Sequence, residues 1–116
     1  MAEPITIHGI KNCDTMNKAF AWLDGRGLAY RFHDYKKQGI DRATLEAWAQ
    51  RLGWETLLNR AGTTFRKLPD SEKQDLDAAH AIALMLAQPS MIKRPVLETK
   101  GHLLVGFAPE AWAKAL

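Results

Sequence analysis

Cys13 is the only cysteine among 116 residues and the side chain best suited to covalent chemistry. It sits in Ile5-Thr6-Ile7-His8-Gly9-Ile10-Lys11-Asn12-Cys13-Asp14-Thr15, where the pattern changes from strand to helix. Ile5 and Ile7 alternate with Thr6 and His8, the period of a strand. Gly9 permits a sharp change of direction, after which Met16, Ala19, Phe20 and Leu23 fall on one helical face. Asn12, Asp14 and Thr15 favour helix starts. Free backbone N–H groups and the positive end of the helix dipole therefore lie beside the sulfur. That setting favours thiolate, the reactive form. The alternative is an inert buried cysteine, against which the polar neighbours Lys11, Asn12, Asp14 and Thr15 count.

Where a Cys-x-x-Cys site would carry its resolving thiol, this chain has Met16. A disulfide or oxyanion attacked by Cys13 must then be released by an external thiol such as glutathione or another protein. Arg60, Arg66 and Arg94 are the cations that could lower a thiol pKa or hold a carboxylate bidentately, and Lys11 is close in sequence. The alternative is that all are solvated surface charges, and spacing alone does not gather them. His8, His33, His80 and His102 are scattered and, with one cysteine, offer no zinc spacing. His8 reads as a structural histidine, and Trp22, Trp48, Trp54 and Trp112 as core or its margin. Gly25-x-Gly27 ends a helix, so no phosphate loop is present.

The elements that position these residues follow from periodicity. A first helix is expected from about Cys13 to Leu23 or Asp24, stopped by Gly25-Arg26-Gly27. Ala29-Tyr30-Arg31-Phe32-His33 alternates as a second strand, which completes a βαβ unit with Cys13 at the crevice where such units hold ligands. After the polar punctuation Lys36-Lys37-Gln38-Gly39, Asp41 caps a helix with Leu45, Trp48, Ala49 and Leu52 inward, closed by Gly53. A short turn with Trp54, Leu57 and Leu58 inward follows. Residues Asn59 to Pro69 are polar and basic with no periodicity. Asp70 or Ser71 opens a helical region with Ala78, Ala79, Ile82, Met85 and Leu86 on one face, ended by Pro89. Pro95-Val96-Leu97-Glu98 and His102-Leu103-Leu104-Val105 form a hairpin about Thr99-Lys100-Gly101. Pro109 opens a last helix packed through Trp112 and Leu116.

Composition bounds the rest. Apolar residues make up 47% and charged residues 25%, as in an ordinary globular domain. The net charge of +3 is spread among acids, so nucleic acid is not indicated. No apolar run approaches the roughly 20 residues of a membrane span. Met1-Ala2-Glu3-Pro4 does not read as a signal peptide, and one cysteine suits a reducing compartment, so the cytoplasm is expected.

Three separated motifs, Gly9-Ile10-Lys11-Asn12-Cys13-Asp14-Thr15, Gly62-Thr63-Thr64-Phe65-Arg66-Lys67-Leu68 and Arg94-Pro95, closely resemble the ArsC/Spx family, best its YffB-like branch, over essentially the whole length. The resemblance implies an α/β fold: a thioredoxin-like core (β-α-β … β-β-α, a mixed four-stranded sheet) at about 3–35 and 92–116, with a helical insertion at about 40–90, in one domain. It implies that Cys13 is the nucleophile and that Arg94 precedes a cis-proline, Pro95, facing it. Arg60 lies at or near the position of another active-site arginine, and Arg66 belongs to the Thr-Phe-Arg-Lys motif of the branch. Cys13 and Arg94 are thus the catalytic candidates, and Lys11, Asn12, Arg60, Arg66 and Pro95 the substrate-binding ones.

The chain departs from the family's pattern at three points. Arsenate reductases of the family carry an arginine after the last strand, where this chain has Gly106-Phe107; their loop before the cysteine also differs. A lost charge-assisted contact is worth about 1.5–3 kcal/mol. Met16 excludes the Cys-x-x-Cys switch of many Spx regulators. The expected function is therefore a glutathione-dependent thiol–disulfide reductase with no bound cofactor and no metal. Glutathione would be its co-substrate, glutaredoxin a further redox partner, and a small-molecule or protein disulfide its substrate. Arsenate reduction is the rival chemistry. An Spx-like adaptor binding RNA polymerase is the non-enzymatic alternative.

Overall fold

A computed structural model describes residues 5–99 and 101–116. In chain order the elements are β1 (Ile5–Gly9), α1 (Asp14–Gly25), β2 (Tyr30–Asp34), α2 (Tyr35–Gln38), α3 (Arg42–Leu52) and α4 (Trp54–Leu57). Then follow α5 (Thr63–Arg66), α6 (Asp70–Lys73), α7 (Ala78–Ala87), a 3-10 turn (Pro89–Met91), β3 (Val96–Thr99), β4 (His102–Val105) and α8 (Pro109–Ala115). The chain divides into two compact units, Met1–Gln38 with Arg94–Leu116, and Gly39–Lys93.

The first unit is a mixed four-stranded sheet in the order β2-β1-β3-β4, the thioredoxin-like α/β arrangement. β1 runs parallel to β2, Ile5 beside Tyr30 through Gly9 beside Asp34, and antiparallel to β3, Ile7 beside Leu97. The parallel pair needs a crossover, and α1 supplies it. As a central strand β1 is covered on both faces: Ile5, Ile7 and also His8 are buried. Ile5 and Ile7 pack with Met16, Ala19 and Leu23 of α1, with Leu97, and with Trp112 of α8. Those three α1 positions recur at the spacing of one helical face. Met16 and Leu23 are fully buried, which stabilises the unit by about 1.5–3 kcal/mol for each side chain.

The strands sit one residue later than the alternation suggests, at Tyr30–Asp34 and Val96–Thr99. Thr99 pairs with His102, so β3 and β4 form the expected hairpin. Lys100 of its turn, like Met1-Ala2-Glu3-Pro4, lies outside the described residues. Lys36-Lys37-Gln38 is not plain punctuation: Tyr35, fully buried, anchors one helical turn.

In the second unit Asp41 caps α3, its Oδ1 accepting the Thr44 N–H at 2.8 Å, and Leu45 and Trp48 are buried. Ala49 and Leu52 are only partly buried. The polar, basic segment without periodicity contains α5, whose Phe65 is buried while Arg66 and Lys67 are exposed. The helical region after Asp70 breaks in two. Asp75 takes a left-handed φ of 53°, and Asp77 caps α7 by accepting the His80 N–H at 2.8 Å. Its buried face is Ala81, Ile82 and Met85, whereas Ala78 and Ala79 are exposed. Among the described residues no helix is long and apolar enough to cross a membrane.

Candidate active site at Cys13

Cys13 is the N-cap of α1, one residue before its first helical turn, with extended backbone (φ −103°, ψ 135°). Its carbonyl accepts the Asn17 N–H at 2.9 Å, the first bond of the helix. A good capping side chain stabilises a helix by about 1 kcal/mol, less than the burial of Met16 or Leu23 alone. Packing therefore holds α1 in place, and the Cys13 side chain, packed against the margin of that core, makes no capping hydrogen bond of its own. Asn12 just before it takes φ 65°, a left-handed conformation that asparagine tolerates better than most residues.

Gly9 is needed for close approach more than for a turn. A Cβ there would lie 2.4 Å from the Met16 sulfur. Met16 thus fills the end of β1 directly beneath the cysteine turn, and the position that could have held a second thiol is packed shut.

Arg94 reaches the sulfur from 81 residues away, its Nε–H donating to Cys13 Sγ at 3.5 Å. The Arg94–Pro95 peptide bond is cis, and Pro95 is buried. The Pro95 carbonyl accepts the Gly106 N–H at 2.8 Å, which ties this turn to the end of β4. Burial works to raise the Cys13 pKa; the Arg94 hydrogen bond, the N–H groups of Met16 and Thr15, and the Arg94 charge outweigh it, so the thiol is more acidic than usual. The sulfur closes no full capping hydrogen bond with those N–H groups, which act as dipoles aimed at it. Cys13 is partly exposed and so accessible to a substrate.

Lys11 and Asn12 are exposed in the loop between β1 and α1. Arg60 and Arg66 belong to the second unit. The Arg60 guanidinium lies 5.1 Å from the centre of the Trp54 ring. Arg66 is exposed at the end of α5, and its carbonyl accepts from Lys73 Nζ at 2.8 Å.

Behind Arg94 lies a group the sequence did not single out. His8 Nε2 bonds Glu98 Oε1 at 2.7 Å, and its ring stacks on Tyr35 at 6.4 Å and tilts against His33 at 5.1 Å. Burial lowers the His8 pKa, against the Glu98 hydrogen bond and charge and aided by His33. The Tyr35 hydroxyl has no hydrogen-bond partner among the described residues; burial keeps it protonated, Arg94 acting against this and Glu98 with it. The sheet pairing of β1 with β3 is the only signal that could have linked His8 to Glu98.

At Gly106-Phe107, Gly106 has φ 82° and its carbonyl accepts the Trp112 indole N–H at 3.2 Å. Phe107 meets Trp112 edge-to-face at 5.0 Å. Aromatic packing occupies the end of β4, where a cation would otherwise be sought.

The model of the ArsC family matches residues 8–115. A solved YffB protein is 63% identical, covers 97% of this chain and 98% of its own, and superposes with a TM-score of 0.93. A solution structure of an arsenate reductase (ArsC) related protein from Brucella melitensis is 58% identical, covers 96% and 92%, and has a TM-score of 0.79. An uncharacterised protein of Haemophilus influenzae is 37% identical over 111 residues, 96% of this chain and 97% of that one.

Proposed function

The chain belongs to the ArsC family, and from that premise we propose that it is a glutathione-dependent reductase working through one thiol. The observation that carries this reading is the Arg94 Nε–H donating to the lone cysteine at the N-terminus of α1. The Cys13 thiolate attacks one sulfur of a glutathione mixed disulfide. A Cys13–glutathione disulfide forms, the original S–S bond breaks, and the other thiolate leaves with the electron pair. A second glutathione thiolate then attacks the adduct, which releases oxidised glutathione and restores Cys13. An external thiol is required because Met16 stands where a resolving cysteine would. Arg94 keeps the nucleophile ionised and steadies it again as the leaving thiolate. Lys11, Asn12 and the backbone beside Pro95 contact the substrate, with Lys11 the nearby cation for a glutathione carboxylate. Glutaredoxin is a second acceptor for the same adduct.

Arsenate reduction is the rival that the description of the Brucella melitensis neighbour favours. The aromatic filling at Phe107 argues against a third anion-binding arginine there. One experiment separates the two. Purified protein is incubated with oxidised glutathione and weighed by mass spectrometry. It is then assayed with a glutathione mixed disulfide, and with arsenate plus glutathione and glutaredoxin. One adduct on Cys13, lost on adding reduced glutathione and absent in Cys13→Ser, is expected, with faster turnover of the disulfide. No adduct overturns the reading, and faster arsenate turnover replaces it.

A further inference from the structure

A cavity of about 440 Å³ opens next to the cysteine loop and is built entirely from the first unit. It lies at the carboxyl ends of the parallel strands β1 and β2, beside the start of α1, the position at which parallel βαβ units hold ligands. Its volume is in the range of small-molecule sites. The loop contributes Lys11 and Asn12, the latter adjoining Cys13, and α1 contributes Asn17 and Phe20. Phe32 of β2 completes an apolar wall, meeting Phe20 edge-to-face at 5.1 Å. Tyr30 stacks on Phe20 at 5.5 Å, and the Phe20 and Phe32 rings, both only partly buried, still leave aromatic surface for a ligand to cover.

The charges at the rim select among apolar ligands. Lys11 and Lys37 line the cavity and are exposed, and among the described residues neither has an ion-pair partner. Asp34 also lines it but is committed to α2: its Oδ1 accepts the Lys36 N–H at 2.9 Å, and its own N–H donates to Gln38 Oε1 at 3.1 Å. Two cations against one carboxylate leave a single positive charge. The Asn12 and Asn17 amides add donors and acceptors.

We propose that this cavity binds the departing half of the substrate disulfide, and that this half is an alkyl thiol bearing an aromatic ring and one carboxylate. The inference rests on the reductase reading and adds the substrate class to it. The ring covers Phe20 and Phe32, the carboxylate meets Lys11 and Lys37, and the sulfur lies toward Cys13. Cys13 forms its bond to the glutathionyl sulfur while the bond from that sulfur to the ring-bearing alkyl thiol breaks. The alkyl thiolate leaves with the electron pair and takes a proton from water. Reduced glutathione clears the adduct as before, so overall one mixed disulfide and one glutathione give one thiol and one oxidised glutathione.

Two measurements test this, the first independent of any chemistry at sulfur. Phenylacetate is titrated into the protein and backbone amide signals are followed by NMR, with neutral phenylacetamide as control. Saturable shifts centred on Asn12, Asn17, Phe32 and Lys37 are expected, with affinity lowered about threefold to fivefold in Lys37→Gln, the range of one exposed charge contact. Shifts elsewhere, or equal affinity for the amide, overturn the subsite. The second compares kcat/KM for the glutathione mixed disulfides of para-(mercaptomethyl)benzoate and mercaptoethanol, whose leaving thiols have similar basicity. A preference of about tenfold for the aromatic substrate is expected, falling toward one in Lys37→Gln and in Phe32→Leu. Equal turnover of both substrates overturns the subsite alone. Turnover of neither overturns the reductase reading, whatever the titration shows.

Discussion

At the scale of single residues, the chemistry depends on how strongly the Cys13 anion is favoured. Burial of the sulfur opposes ionisation, and the Arg94 hydrogen bond is the largest influence favouring it. The rate of Cys13 alkylation with pH should therefore have its midpoint below the ordinary thiol value of about 8.5. Because the anion is the reactive species, removing the guanidinium in Arg94→Ala should move that midpoint up and slow alkylation at neutral pH. Arg94→Lys, which keeps a charge but loses the Nε–H, should fall between the two. A midpoint identical in all three proteins would mean that the helix N-terminus alone sets the ionisation. Of this pair only the cysteine was legible from local sequence. Arg94 is 81 residues away, and a resemblance rather than any spacing connected them.

At the scale of elements, the sequence was legible where an element carries its own period and its own stop. α1, α3, the hairpin and α8 are of this kind, and each has a cap, a glycine or a proline at an end. Single turns are not, because four residues show no period; α2 and α5 form where one buried aromatic, Tyr35 or Phe65, fixes them. The break before α7 depends on the left-handed Asp75, and once Asp77 caps the helix its face rotates so that Ala81 rather than Ala78 and Ala79 turns inward. The aromatic cavity escaped notice because Phe20 and Phe32 look like core in a sequence, and Lys37 like punctuation. The fit of Gly9 against Met16 was also hidden, since a glycine after a strand reads first as a turn. It gives a direct test by thermal or denaturant unfolding. Gly9→Ala should destabilise by about 1–3 kcal/mol through overpacking, because the added methyl meets the thioether of the fully buried Met16. Met16→Ala should cost about 2–5 kcal/mol as a cavity. The double variant should cost clearly less than the sum, since the new methyl enters the space that the thioether vacates. Additivity within about 0.5 kcal/mol would show that the two sites do not touch energetically.

At the scale of the molecule, the first unit is made of the two ends of the chain, and the site exists only once β3 has paired with β1. That pairing carries a buried titratable group across it, because His8 on β1 bonds Glu98 on β3. Folding buries the His8 ring, and burial lowers its pKa despite the Glu98 carboxylate; His33 adds to the lowering, and Tyr35, stacked on the ring, stays uncharged. The folded state therefore disfavours the protonated imidazole. Above the unfolded value of about 6.5 the ring is neutral in both states and stability is fully present. As pH falls from there toward the folded pKa, the unfolded chain binds the proton more readily than the folded one, and stability declines. The sign is thus a loss on acidification that begins near pH 6.5, before most carboxylates titrate. His8→Gln keeps a donor for Glu98 without the titration. Urea midpoints measured from about pH 7.5 down to about pH 5 should decline more steeply for the wild-type chain than for the variant. Parallel curves would show that the sheet accommodates the charged ring without cost, the Glu98 carboxylate compensating its burial in full.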